Sequence, residues 1–268
     1  MSLDGAQLDE ILEAARSVAD DAGALLLDGL GRPKRVAHKG AVDLVTDFDR
    51  RAEELIVRGL ERRFPAFGAL AEEGAAAETA DRETIWIIDP LDGTTNFSHG
   101  HPAFAVSIGL EHRGRLVAGV IAMPGLGDAV WARRGGGARC ARGPVRVSSA
   151  EALDRALVAT GFPYDRREVE DDNTREHRAV LKRAQGVRRC GAAAVDLALV
   201  ARGVYDAFWE PRLHAWDLAA GVVVVEEAGG RTSGYDGEPV DVRRGWIAAS
   251  NGLVHEELLA VLAGVRGG

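Results

Sequence analysis

The chain has 268 residues, 46% hydrophobic and 28% charged, the proportions of a globular protein large enough for a substantial core. A formal net charge of −8 argues against a general binder of nucleic acid or of acidic membranes. No apolar run approaches the roughly 20 residues that span a bilayer, and residues 1–10 carry acids where a secretory signal has its apolar stretch, so no such signal is expected. Cys140 and Cys190 are too few for a disulfide framework and fit a reducing cytoplasm.

Leu8, Ile11, Leu12, Ala15, Val18, Ala22 and Leu25 recur at three- and four-residue steps and predict a long helix over 6–30, ended by Gly29, Gly31 and Pro33. Ala52, Leu55, Ile56 and Leu60 predict a second helix over 49–64. A short strand over 67–71, a loop over 75–81 and a buried strand over 85–88 follow. From 104 to 147, β-prone runs at 105–110 and 117–121 alternate with turn signals at Arg113-Gly114, Pro124-Gly125 and Gly135-Gly136-Gly137, the texture of an antiparallel meander. Beyond 148 the pattern is mixed, with strands over 157–160, 205–209 and 247–250 and helices over 173–185, 192–202, 216–228 and 253–263. A mild boundary at 143–150 separates an N-terminal α+β half, 1–147, from a C-terminal α/β half, 148–268, of one unit.

The run from Trp86 to Phe97, WIIDPLDGTTNF, carries the most information. An apolar strand runs into two carboxylates, Asp89 and Asp92, and then into a Gly-Thr-Thr turn. Pro90 lacks an N–H and fixes its own φ, so the strand is expected to stop near Asp89. Carboxylates, carbonyls at a bend and small residues with open N–H groups suit a hard cation bridging to a phosphate. Asp49 opens a helix, Glu72 and Glu73 follow a strand, and Asp217 opens the apolar helix at 216–228. Singly, each has a plain structural explanation, as a helix cap or a solvated charge. If they converge, each pair of charges about 5 Å apart repels by roughly 3 kcal/mol at an effective dielectric of 20, a cost that only protons or cations relieve. Oxygen donors without His or Cys favour Mg²⁺ or Mn²⁺ over Zn²⁺.

Asp89-Pro90-Leu91-Asp92-Gly93-Thr94-Thr95-Asn96-Phe97 resembles the first signature of the inositol monophosphatase family, and Trp216-Asp217-Leu218-Ala219-Ala220-Gly221, continuing to Glu227-Ala228-Gly229-Gly230, resembles its second. Asp43-Leu44-Val45-Thr46-Asp47-Phe48-Asp49, Glu72-Glu73 and Gly161-Phe162-Pro163-Tyr164 are similar to further family segments in the same order. The resemblance implies an α/β fold, a layered αβαβα sandwich of the inositol monophosphatase and fructose-1,6-bisphosphatase type, and Mg²⁺-dependent hydrolysis of phosphate monoesters. By position it assigns Glu72, Asp89 and the Leu91 carbonyl to one ion, Asp89, Asp92 and Asp217 to a second, and a third, weaker ion near Glu72. It assigns phosphate to the Gly93 and Thr94 N–H groups, activation of water to Thr94 with Asp49, and electrostatic support to Lys39. Gly191, Ala192, Ala193, Glu210 and Asp217 would face the alcohol. Inhibition by Li⁺ and a homodimer are further implications.

Other features have ordinary explanations. His99-Gly100-His101 lacks the helical spacing of a zinc pair. Gly135-Gly136-Gly137 lacks the Lys-Ser/Thr continuation of a phosphate loop and reads as a hairpin bend. Arg188-Arg189 reads as a solvated pair or a contact to substrate phosphate or a partner, and Trp209 and Trp216 as core. Inositol 1-phosphate is the expected substrate, since Thr94-Thr95-Asn96-Phe97 resembles the inositol-type branch more than the branch acting on adenosine 3′,5′-bisphosphate. Fructose 1,6-bisphosphate, histidinol phosphate and nucleotide phosphates stay open. So does a regulatory protein that binds transcription machinery, as some bacterial relatives do; direct nucleic-acid binding is not expected.

Overall fold

A computed structural model describes residues 3–32, 36–38, 44–74 and 82–266. In chain order its elements are α1 (Gly5–Gly29), β1 (Val36–His38), β2 (Leu44–Thr46), α2 (Asp47–Arg63), β3 (Gly68–Ala71), β4 (Thr84–Asp92), α3 (Thr94–Ser98), β5 (Ala105–His112), β6 (Arg115–Met123), β7 (Asp128–Arg133), β8 (Arg139–Cys140), β9 (Gly143–Pro144), β10 (Leu157–Thr160), α4 (Thr174–Leu181), β11 (Gly186–Arg188), α5 (Ala193–Ala201), β12 (Ala207–Glu210), α6 (Ala215–Glu227), β13 (Arg231–Ser233), β14 (Ile247–Ser250) and α7 (His255–Arg266).

Side-chain caps set the starts of α1 and α2. Asp4 accepts from the Gln7 N–H while Gln7 reaches back to the Asp4 N–H, so α1 begins there and buries Leu8, Ile11, Leu12, Ala15, Val18, Ala22 and Leu26. Thr46 and Asp49 make the same reciprocal pair, which starts α2 two residues before the apolar periodicity suggests.

Strands β3 to β9 form a seven-stranded sheet in sequence order, parallel between β3 and β4 and antiparallel elsewhere, so the expected meander is present. A five-stranded sheet has the order β11-β10-β12-β14-β13. Helices α1 and α2 cover the outer face of the first sheet, α5 and α6 fill the space between the sheets, and α4 and α7 lie on the far face of the second. The result is the expected αβαβα sandwich with three apolar layers. Side-chain alternation along β4 assigns them: Trp86 and Ile88 join the layer under α1 and α2, and Ile87 joins the layer around α5 and α6.

Two glycines bring α6 unusually close to the first sheet. Gly109 on β5 pairs with Gly119 on β6. A Cβ added to Gly109 would lie 2.6 Å from the Ala219 Cβ, and one added to Gly119 would lie 2.5 Å from the Ala220 carbonyl oxygen. No larger residue fits at either position, and α6 can therefore place its first turn beside the end of β4.

The strand expected to stop near Asp89 continues to Asp92. Asp89 pairs with Ser107 and Asp92 with Ala105, so β4 holds one residue more than β5 across this interval. Pro90 sits in that bulge, where a missing N–H is tolerated. The strands β1, β2, β11 and β13 are three residues each, too short to show a period in sequence. The fourth helix ends at Leu181 rather than at 185. The expected 75–81 loop lies outside the described residues.

Candidate metal centre

Residues three apart on a regular strand point to opposite faces. The extra residue of the β4 bulge corrects this offset, and Asp89 and Asp92 reach the same side. Asp217 arrives from the other layer as the third residue of α6, held by the His214 N–H at 2.6 Å. Asp89, Asp92 and Asp217 each place a carboxylate oxygen within 4.8 Å of the others. Glu72 stands just past β3, whose parallel register sets Ala71 beside Ile88, and its own N–H donates to the Ile88 carbonyl. Its charge is felt by both Asp89 and Asp217.

The electrostatics follow from this gathering of acids. Burial, then repulsion from Glu72, Asp92 and Asp217, pushes the Asp89 carboxyl well above its ordinary range. Burial and the Asp92 charge do the same to Asp217. Asp92 rises to about 6, again through burial, and three backbone N–H groups oppose the shift. Those groups belong to Ala193, Ala194 and Val195 at the start of α5; the Ala194 N–H lies 2.7 Å from Asp92 Oδ2. The Leu91 N–H donates to Asp89 Oδ1 at 2.9 Å. An all-oxygen donor set whose members repel one another fits a divalent hard cation.

Asp49 has two tasks. Its Oδ2 accepts from the Thr46 N–H at 2.8 Å and so caps α2, while Oδ1 accepts from Thr94 Oγ1 at 2.8 Å. Asp49 therefore both completes the capping box of α2 and ties that helix to Thr94. Burial raises its carboxyl above the ordinary value, and the bonds from Thr46 and Thr94 oppose the rise. Thr94 opens the one-turn helix α3 behind Gly93, whose φ of 90° is in the left-handed region that favours glycine. The expected helper Lys39, with Asp43 of the early motif, lies outside the described residues.

Gly191, Ala192, Ala193 and Glu210 line one pocket with Asp92 and Asp217. Glu210 is buried, and that burial, with the nearby Asp217 charge, lifts it to about 8. Its carboxyl occupies the place a side chain at Gly161 would take, 2.1 Å from an added Cβ. Arg189 also belongs to this wall, and the buried Asp196 is linked to it electrostatically. The Arg189 charge reaches Asp92 and Glu210 as well. Asp196, buried on α5 with Oδ1 unpartnered, has its carboxyl held far above the ordinary range by burial and by Glu210. A lone acid in the apolar run AAVDLALVA was the available signal for Asp196.

The alternatives resolve structurally. His101 Nδ1 accepts from the Ala103 N–H and closes a turn. The Gly135 and Gly137 N–H groups both hold the Glu227 carboxylate in the bend between β7 and β8. Trp209 is fully buried and donates to Asn173 Oδ1, and Trp216 stacks on His214 with ring centres 4.7 Å apart. Both cysteines are free. No described helix is long and apolar enough to cross a membrane.

A five-layer sandwich with clustered carboxylates at the meeting of a strand end and two helix starts defines a metal-assisted phosphoesterase class. The description of the inositol monophosphatase family matches residues 7–266, and the chain belongs to that family. It is 43% identical over 253 residues to an inositol-1-monophosphatase of Synechocystis, covering 94% of this chain and 88% of the relative. It is 39% identical over 261 residues to the Nus factor SuhB of Pseudomonas aeruginosa, covering 95% and 96%. The solved inositol monophosphatase of Anabaena superposes with a TM-score of 0.89 at 40% identity, covering 96% of each chain. The chain is accordingly a phosphoric monoester hydrolase.

Proposed function

We propose that this chain hydrolyses a small phosphorylated alcohol, with inositol 1-phosphate as the best substrate, in a Mg²⁺-dependent reaction. The observation that carries the reading is the convergence of Asp89, Asp92 and Asp217, three acids from two layers, on one spot. Asp89, Asp92 and Asp217, with Glu72 and the Leu91 carbonyl beside them, are the groups that would hold Mg²⁺. Such a cation, when bound, supplies a more acidic water and charge stabilisation at the leaving oxygen. The Thr94 hydroxyl donates its hydrogen bond to Asp49, so its lone pairs are left to accept from the attacking water and orient it. Gly93 and Thr94 are assigned to the phosphate. Gly191, Ala192, Ala193 and Glu210 are assigned to the alcohol, where Glu210 offers hydrogen bonds to hydroxyl groups.

The test is a phosphate-release panel over inositol 1-phosphate, fructose 1,6-bisphosphate, histidinol phosphate and adenosine 3′,5′-bisphosphate, with and without Mg²⁺. Fastest Mg²⁺-dependent turnover on inositol 1-phosphate supports the proposal; equal turnover with the ion chelated defeats it. Resemblance to the family also supports a homodimer and inhibition by Li⁺. The 39% identity to a Nus factor favours a second role in binding transcription machinery, which a pull-down with RNA polymerase examines directly.

A further inference from the structure

Asn96 ties its own turn to Ala103, seven residues on, and to Cys190, 94 residues away. From α3, its Nδ2 donates to the Ala103 carbonyl at 2.7 Å and to the Cys190 carbonyl at 2.9 Å, so both amide protons are used. Ala103 precedes β5, and Cys190 lies in the strap that leads into α5. The Asn96 backbone carbonyl also accepts from the His101 N–H at 2.8 Å, which closes the turn on itself.

The two segments joined by this amide are also the two that flank Gly93. A Cβ added to Gly93 would lie 3.1 Å from the Ala103 carbonyl oxygen on one side and 3.1 Å from the Ala192 Cβ on the other. Gly191 rests directly on the amide, with an added Cβ 3.2 Å from Asn96 Nδ2. Two residues beyond Ala192, the Ala194 N–H meets Asp92 at 2.7 Å. A brace between two carbonyls needs a neutral group with two donors. Serine and threonine have one, and a carboxylate would repel both oxygens.

We infer that Asn96 is a positioning residue for this pocket. Its carboxamide fixes the gap in which Gly93 sits and holds the 190–192 strap, and through the start of α5 it fixes the direction of the Asp92 carboxylate. The inference rests on the proposed role of Asp92 as a cation ligand. It adds a residue that touches no reacting atom yet sets how two substrate-side walls and one ligand face each other. Groups that orient a ligand without binding the ion affect affinity about tenfold or more when removed.

The experiment uses the full chain as wild type, N96A and the milder N96S, which keeps a single donor. Binding of Mg²⁺ alone is measured by titration calorimetry, KM and kcat on inositol 1-phosphate by phosphate release, and the thermal midpoint by calorimetry. For N96A, Mg²⁺ binding about tenfold weaker and KM about tenfold higher are expected, with kcat changed less and N96S intermediate. Mg²⁺ affinity and KM within twofold of wild type in both variants overturn the inference. So does a lowered thermal midpoint with both constants unchanged, because that is the mark of a structural tie alone. Wild type that binds no Mg²⁺ sinks the metal reading and this inference with it, and is distinguishable because the variants then play no part in the result.

Discussion

Asp92 Oδ2 accepts the Ala194 N–H at 2.7 Å across 102 residues of sequence. One carboxylate thus serves as a candidate cation ligand at the end of β4 and as a partner for the unsatisfied first turn of α5. The two tasks need different things. Helping α5 needs only an oxygen acceptor, whereas holding a divalent ion needs the negative charge.

Those demands separate under substitution. Asp92→Asn keeps an oxygen that can accept from Ala194, so the thermal midpoint should stay close to wild type while turnover is lost. Asp92→Ala removes the acceptor as well, and should cost about 1 kcal/mol of stability in addition. Denaturant melts beside phosphate-release assays decide the matter. Substantial turnover in D92N contradicts the ligand assignment, and equal stability of the two variants contradicts the capping role.

The Thr94 hydroxyl donates to Asp49 and is left able to accept from water. Thr94→Ala should lower kcat by about a hundredfold, the scale of one positioned proton-transfer partner, with KM little changed. Thr94→Ser, which keeps the hydroxyl, should recover most of the loss. A T94A variant with kcat near wild type would show that the Asp49–Thr94 pair serves only to anchor α2.

The approach of α6 to the sheet yields a third prediction. A methyl group at Gly119 would press on the Ala220 carbonyl at 2.5 Å, and backbone cannot yield as a side chain can. Gly119→Ala should cost about 1–3 kcal/mol and move the first turn of α6, with Asp217, away from Asp89 and Asp92. Weaker Mg²⁺ binding in a variant that still folds is the expected result, read by calorimetry. Unchanged affinity would mean that Asp217 is placed by its bond to the His214 N–H alone.

The long elements were legible in sequence because apolar residues repeat over several turns, as in α1, or because a β-prone run is bounded by turn residues, as in β5 and β6. The three-residue strands β11 and β13 show no period, and only the completed sheet identifies them. The acids Asp89, Asp92 and Asp217 were recognisable from their two motifs, but their meeting depends on a bulge at Pro90 and on Gly109 and Gly119, none of which has a local signature of that purpose. Pro90 was in fact misleading, since it marks the irregularity and not the end of β4. Asn96, Arg189 and Asp196 take their meaning from contacts across the fold. Asn96 meets Cys190, 94 residues away, a distance no motif spans.

The raised carboxyls make a prediction about pH. Asp92 is lifted from an ordinary 3.8 to about 6, chiefly by burial, and burial raises Asp89 and Asp217 in the same direction. A folded group with a raised value holds its proton where the unfolded chain has lost it. The contribution of Asp92 to stability is therefore complete below about pH 4 and disappears as pH rises through about 6. At pH 7.5 the protein without divalent ions carries the cost of a charged, buried Asp92, and the proposed Mg²⁺ would relieve that cost by binding only the folded state. At 100 times its dissociation constant the gain is about 2.7 kcal/mol. At pH 5 a proton already occupies Asp92 and competes with the ion, so Mg²⁺ should bind weakly and the gain should shrink. Thermal melts at pH 5 and pH 7.5, with and without Mg²⁺, should show the larger upward shift at the higher pH. Equal shifts at both values would mean that the ion acts elsewhere than on Asp89, Asp92 and Asp217.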